Sequence, residues 1–386
     1  MKIQIQLLAL IAIPFFSQAA IAAVPFNDAC YLARYPDVDQ NWGGTAKSHY
    51  DQNGIKEGRN PGCDYKLPKP ANSKYYVSPF PSGFLLKSSP AAGSQIELLN
   101  SPREYASAII SLKWNGVEFI NIHDKGRQLQ TAWSFDAHGE CFNPTEAGSS
   151  QDKGASSSRL LEVSLAPAFM ATLSQSAYWL RGSQTGGGCP AGPQVSFARG
   201  PYYLQKVIQM NYQGDPHAIE MKLSFQNNDG IPRHAATYEV LTGYLTTDFN
   251  RLFSVRANSA TPVEEPSFAP LSGAGYGQNT LISNRPNKYD PIIVSNASGS
   301  HAMGALFPKQ EVKGSFDGYQ FWKFAGTGGP KGGGTTKWNI AVFERNSVEL
   351  QTSRSFRVIL VVGNLQTVAA KLKALAAAQG NQGPQN

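Results

Sequence analysis

From about residue 91 to 366 the chain alternates short apolar, β-branched runs with turn formers, the pattern of a strand-rich domain. The clearest case is "YASAIISLKWNGVEFINI". Two such runs flank Asn115-Gly116, a dipeptide that accepts the positive φ angles of a type I′ hairpin turn. "AIEMKLSFQNN", "ATYEVLTGYL", "KWNIAVFER" and "SFRVILVVG" predict further strands. Helical periodicity is weak until "LQTVAAKLKALAAA", near the end. Ahead of this domain, residues 24 to 66 predict two short helices. Asn27 or Asp28 can cap the first, and Pro36 limits it. The second starts near Thr45 and stops at Asn53-Gly54, a C-cap signal. "KLPKPANSKYYVSPFPSG" follows, rich in Pro and Ser, and predicts a semi-extended linker.

The expected fold class is mainly β: a large antiparallel β-sandwich preceded by a small, disulfide-closed helical unit. The expected division is a signal peptide at 1–22, a helical accessory unit at 23–66, a linker at 67–90, the β-sandwich at 91–366, and a short helix with a polar tail at 367–386.

Composition narrows the compartment. Only 16% of residues are charged, while Gly (37) and Pro (25) are plentiful, which favours a β-rich extracellular protein over a cytosolic helical enzyme. Lys2, the apolar "LLALIAIPFF" and the A-x-A site Ala20-Ile21-Ala22 read as a signal peptide. That run is too short to span a bilayer, and Pro14 interrupts it. The expected location is periplasmic or secreted, with no membrane span. Export permits disulfides. The four cysteines fall into two local pairs, Cys30 with Cys63 and Cys141 with Cys189. Each would close a loop worth about 3–4 kcal/mol, although four cysteines allow three connectivities. The spacing gives no C-x2-C metal motif, and the Gly-rich loops lack the strand-to-helix context of a phosphate loop. No cofactor is expected. The formal charge of +7 is scattered, which argues against nucleic acid and fits a glycan or envelope surface, or plain solubility.

The chemistry concentrates in "INIHDKGRQLQTAWSFDAHGECFNPTEAG", residues 120–148. If "RQLQTAW" is extended, Arg127, Leu129, Thr131 and Trp133 share one face, and Gln128 and Gln130 the other. One face is then largely apolar; the other offers amides to a substrate's hydroxyls or to water. Gly126 is the expected bend that aims Asp124 and Arg127 at one point. The next loop carries His138, Glu140 and Glu146, with Asn143-Pro144 as a rigid turn and Cys141 as a tether. Two carboxylates in different environments could work as acid and base or nucleophile on a glycosidic bond. A His or Tyr base beside an Arg could instead abstract a uronate C5 proton. The bland alternative is a stapled surface loop with solvated charges. The expected catalytic residues are Glu140, Glu146 and His138. The expected substrate contacts are Asp124, Arg127, Gln128, Gln130 and Asn143. His217, Glu220, Arg233, His234 and Glu239 are secondary candidates.

Two resemblances add to this. The pattern Tyr31, Leu32, Pro36, Asp37, Val38, His49, Tyr50, Gly54, Glu57, Gly58 and Arg59 resembles a short Y-L-x-x-x-P-D-V / H-Y / E-G-R repeat of bacterial exported and surface proteins, which implies an accessory module. The hairpin "SLKWNGVEFINIHDKGRQLQ" and the strand "IEMKLSFQNND" resemble the galactose-mutarotase-like β-sandwich of carbohydrate-active enzymes. That resemblance implies a fold and a substrate class, a polysaccharide or oligosaccharide; the diffuse positive charge extends the expectation to an anionic one. The leading functional expectation is a glycoside hydrolase. The alternatives are a polysaccharide lyase and a non-catalytic glycan-binding or envelope protein. The oligomeric state has no signal in the sequence.

Overall fold

The computed structural model describes residues 31–32, 38, 42–54, 56, 67–89, 95–136, 139–180, 199–228, 233–265, 280–281, 287–309, 314–324, 333–348 and 353–380. The expected signal peptide, Cys30, Cys63, Cys189 and His138 lie outside them. The chain divides into two compact units, Met1–Asp64 and Tyr65–Asn386.

In the first unit, Thr45 caps the helix Ala46–His49, its hydroxyl accepting from the Ser48 N–H at 3.1 Å. A π-helical turn, Tyr50–Gly54, ends at the expected glycine. Tyr31, Val38 and Ala46 form its small core, and the buried His49 ring lies 2.9 Å from the Tyr31 hydroxyl. His49 is therefore packed into the fold.

The second unit is one large sheet in which every described strand pair is antiparallel. It has two arms. The first arm runs through Lys74–Val77, Arg159–Ala166, Phe169–Tyr178, Arg199–Met210, Ala218–Asn227, Ser353–Gly363, Ala302–Leu306, Ile292–Asn296 and Phe249–Ser254. The second runs through Phe84–Lys87, Ile96–Asn100, Ile109–Trp114, Leu129–Phe135, Arg233–Thr246, Thr335–Val348 and Ser315–Phe324. The two-residue strand Pro144–Thr145 joins them, pairing with Ala132 on one side and with Ala177 and Tyr178 on the other.

The arms share one hydrophobic core. Trp133 of the second arm meets Phe225 of the first edge-on, with ring centroids 4.9 Å apart, and Tyr238 meets Phe356 at 5.4 Å. These strands are not hydrogen-bonded neighbours, so the contacts are made face to face across the core. The helix Leu365–Ala378 covers the first arm's other face. Its Leu365, Val368, Ala369, Leu372 and Ala376 recur at helical spacing and pack with Ile293, Leu306, Ile359 and Val361. Asn364 caps it by accepting from the Thr367 N–H at 2.8 Å.

The hairpin forms as its sequence dictates, with Asn115 at φ 50° and Gly116 at φ 80°. The expected linker differs. Two of its segments, Lys74–Val77 and Phe84–Lys87, pair into the sheet, one with each arm. Alternate burial of Phe84 and Leu86 explains the second: its apolar side belongs to the core.

Candidate active site

The second arm has an apolar face toward the core and a polar face turned away from it. On the Leu129–Phe135 strand, Leu129, Trp133 and Phe135 enter the core, which leaves Gln130 and Ala132 on the other side. On the Arg233–Thr246 strand the alternation breaks in mid-strand. Val240 and Leu241 are both core residues, and the pairing register shifts between Glu239 and Leu241. This bulge puts Glu239, Thr242 and Tyr244 on the polar face. Cross-strand pairing then assembles rows. Tyr244 stands beside Lys337, and Lys337 beside Trp322. Thr242 lies between Gln130 and Asn339, and Glu239 between Ala132 and Ala341.

Loops close this face into a cleft of about 200 Å³ lined by Arg127, Gln130, Glu140, Asn143, Trp179, Glu239, Tyr244, Trp322, Phe324 and Lys337, with Ala132 and Thr145. Arg127 arrives from a turn, not from a strand. Gly126 (φ 81°) and Gln128 (φ 45°) both take left-handed backbone, so the expected parity fails at Gln128, and Arg127 joins the Gln130 side. Its guanidinium lies 4.7 Å from the Trp179 ring centre, with Asp124 behind it at 3.7 Å. The Lys337 ammonium sits 4.4 Å above Trp322. Both cations thus carry aromatic neighbours, which favours their charged forms.

The two carboxylates of the cleft are displaced in opposite directions. Burial pushes the Glu140 carboxyl above the usual carboxylate range, outweighing the pull of Arg127 and Lys337, and the Glu239 charge adds to the rise. Burial acts on Glu239 too. There the Lys337 ammonium (3.1 Å), the Thr242 hydroxyl (2.7 Å) and Asn339 overcome it and hold the carboxyl below its usual range. Glu140 also accepts a long hydrogen bond from the Asn143 amide, 3.4 Å. Burial acts to lower the Lys337 ammonium, but Glu239 and Tyr244 raise it on balance. Burial raises the Tyr244 phenol, against Lys337 and Arg127. A carboxyl displaced upward and one displaced downward in a single cleft can supply an acid and a base together.

No family model and no curated protein matches this chain. Among solved structures it is similar to a mutant heparan sulfate lyase from Pedobacter heparinus at 7% identity and a TM-score of 0.37, covering 88% of this chain and 43% of that one. A protein described as an aldose 1-epimerase, from Klebsiella pneumoniae, has 10% identity and a TM-score of 0.42, covering 82% of this chain and 97% of that one. An alpha-galactosidase from Geobacillus stearothermophilus has 8% identity and a TM-score of 0.38, covering 74% and 41%. This chain thus spans less than half the length of the lyase and of the galactosidase. Likenesses this slight carry no argument about the chain.

The expected site residues separate clearly. Arg127, Gln130, Glu140 and Asn143 meet in the cleft. Asp124 stands behind Arg127 and does not line it. Gln128 is fully buried, its amide donating to the Asp124 carbonyl at 2.9 Å. Gln130 is largely committed to the protein: its amide donates to the Gly126 carbonyl (3.1 Å) and accepts from the Ala147 N–H (2.8 Å). Glu146 is a correction. It is fully buried, 2.5 Å from the equally buried Lys206 ammonium, and accepts from the Thr131 N–H at 3.0 Å. It braces the interior and does not reach the cleft. Cys141, beside Glu140, is buried and disulfide-bonded, and every other cysteine lies outside the described residues.

Of the secondary candidates, Glu239 enters the cleft. Glu220 pairs with Arg357 at 2.6 Å, Arg233 with Asp136 at 3.2 Å, and His217 bonds the Val362 carbonyl at 2.7 Å. Trp179, Tyr244, Trp322, Phe324 and Lys337 were not among the expected residues. The signal available for the last three was two-residue spacing: Trp322 with Phe324, and Lys337 with Asn339, each polar or aromatic on alternate positions. No helix among the described residues is long and apolar enough to cross a membrane.

Proposed function

We propose that this is an exported carbohydrate-active protein with a mutarotase-like sandwich, and that it acts as a glycoside hydrolase. Glu140 is its general acid, and Glu239 its base or nucleophile. The observation that carries the reading is the opposite displacement of these two carboxyls within one cleft. Glu140 holds a proton for the departing glycosidic oxygen. Glu239 stays ionised to receive the anomeric carbon directly or to activate water. Trp179, Trp322 and Phe324 offer apolar ring faces to the sugar, as aromatic residues commonly do in sites with one wet and one apolar side. Arg127, Lys337 and Asn143 offer donors to its oxygens. At about 200 Å³ the cleft is small against the roughly 300–1,000 Å³ of drug-sized sites, which suits one or two sugar units of a longer chain.

A polysaccharide lyase is the second reading, favoured by one arrangement: two cations, Lys337 and Arg127, lie near the Tyr244 ring. Cations could neutralise a uronate carboxyl while the phenol moved a proton. Incubating the purified chain with a panel of neutral and uronate-containing polysaccharides separates the two. New reducing ends without ultraviolet absorbance support hydrolysis. Unsaturated-uronate absorbance would establish the lyase. Glycan binding with neither product would reject both enzymes and leave a binding protein.

A further inference from the structure

Gly126 itself lines a second cavity. It measures about 160 Å³ and is lined by Glu104, Tyr105, Lys125, Asp152 and the Gly126 and Ala147 backbone, among others. Gln130 forms the partition. Its side chain lines the catalytic cleft, while the two backbone groups it bonds, the Gly126 carbonyl and the Ala147 N–H, belong to residues lining the second cavity. The partition is thin: a Cβ at Gly126 would stand 3.0 Å from the Trp179 ring, which lines the cleft.

The second cavity is also built to hold its shape. Asp152 ties its loop by accepting at one oxygen from the Ser149 N–H (2.8 Å), the Ser157 N–H (2.7 Å) and the Ser157 hydroxyl (2.9 Å). The Ser156 N–H, donating to the Arg103 carbonyl at 2.9 Å, ties that loop to the short helix Pro102–Tyr105. Tyr105 is half-buried, and Lys125 and Glu104 are exposed at the rim.

We infer that this cavity is an adjoining subsite that receives the next, uncharged sugar residue of the polysaccharide bound in the cleft; the inference rests on the glycan reading above. Three features converge on it. Tyr105 lines the cavity together with Gly126, and Trp179, beside Gly126, lines the cleft, so each space has an aromatic group of its own. The side chains of the cavity include hydroxyl-binding types: the Glu104 carboxylate to accept and the Lys125 ammonium to donate, beside an Asp152 carboxylate that already holds its own loop. With two carboxylates against one cation, the local field disfavours a sulfate or carboxylate on that residue. The catalytic cleft, holding Arg127 and Lys337, carries no such bias. Charge tolerance is thus expected in the cleft and neutrality beside it.

The test uses the full chain and oligosaccharides of two to six units prepared from whichever polysaccharide it degrades. The wild type should show kcat/KM rising with chain length. Tyr105→Ala should cost about three- to ten-fold in kcat/KM on the longer oligosaccharides, the scale of one lost aromatic contact, and leave the shortest substrate unchanged. Tyr105→Phe should restore most of the loss. Lys125→Ala, at an exposed position, should show the same length dependence in smaller measure and serves if Tyr105→Ala fails to fold. Equal loss on all lengths, or no loss on any, would overturn the subsite while leaving the hydrolase reading intact. A wild type that neither cleaves nor binds any glycan of the panel would overturn the underlying reading itself.

Discussion

Glu146→Gln is the sharpest probe of how this polar segment divides its work. The substitution keeps the size of the side chain and removes its charge, leaving the Lys206 ammonium without its anion at a position that is 1% exposed. Burial already pushes that ammonium below its usual range, and Glu146 opposes the shift. Breaking a buried pair from one side costs about 3–5 kcal/mol. The second unit has about 320 residues. At roughly 2.1 cal/mol/K per residue, its unfolding entropy is about 0.7 kcal/mol/K, so the melting temperature should fall by about 4–7 °C. A solvated loop carboxylate would cost within about 0.5 kcal/mol, under one degree. Differential scanning calorimetry at pH 7 reads the difference. The double variant Glu146→Gln/Lys206→Met removes both charges and should recover much of the loss, because uncharged replacements of buried pairs are often neutral. A change below one degree, or a double variant worse than the single, would refute the reasoning. Specific activity of the folded single variant should stay near wild type.

Glu140→Gln and Glu239→Gln should each lower kcat by about 10²–10⁴-fold, measured on the substrate found in the polysaccharide screen. Their stability effects should differ in sign. A carboxyl raised in the fold, as Glu140 is, favours the folded state below its unfolded pKa and loses that advantage as pH rises through its folded value. Glu140→Gln should therefore melt no lower than wild type at pH 7, seen in a thermal scan. Asp136 runs the other way. Burial works to raise it, but the His234 and Ala235 N–H groups and Arg233 hold it low. Its contribution is present above the unfolded pKa and lost as pH falls through the folded one. Asp136→Asn should thus flatten the acid limb of a melting-temperature profile between about pH 5 and 2.

The strands were legible because their pattern is local. Asn115-Gly116 fixes a turn whatever surrounds it, and "LQTVAAKLKALAAA" repeats its apolar positions at helical spacing. The site was legible in part. Arg127, Gln130, Glu140 and Asn143 sit within one short stretch, and their density pointed to chemistry. Glu239 and Lys337 come from strands about 100 and 200 residues further along, brought in by pairing that no local window contains. The Val240 bulge adds a second obstacle. Counting by two from Glu239 puts Leu241 and Gly243 on its face, whereas the structure puts Thr242 and Tyr244 there. Glu146 misled for a related reason: a carboxylate after a strand looks solvated until Lys206, on a distant strand, is seen to neutralise it. Gln128 failed through its backbone, since a left-handed φ at a non-glycine residue leaves no mark in a polarity pattern.

The central claim is that one cleft displaces two carboxyls in opposite directions, and it can be measured without any substrate. Glutamate labelled with ¹³C at the carboxyl, incorporated into the full chain, gives a resonance for each side chain that moves as it titrates. Glu140→Gln and Glu239→Gln assign the two signals. The account predicts that the Glu140 signal titrates above the usual glutamate range and the Glu239 signal below it. Glu239→Gln should also lower the Glu140 midpoint, because the Glu239 charge helps to raise it. Two signals titrating together at the ordinary value, with that of Glu140 indifferent to loss of Glu239, would contradict it.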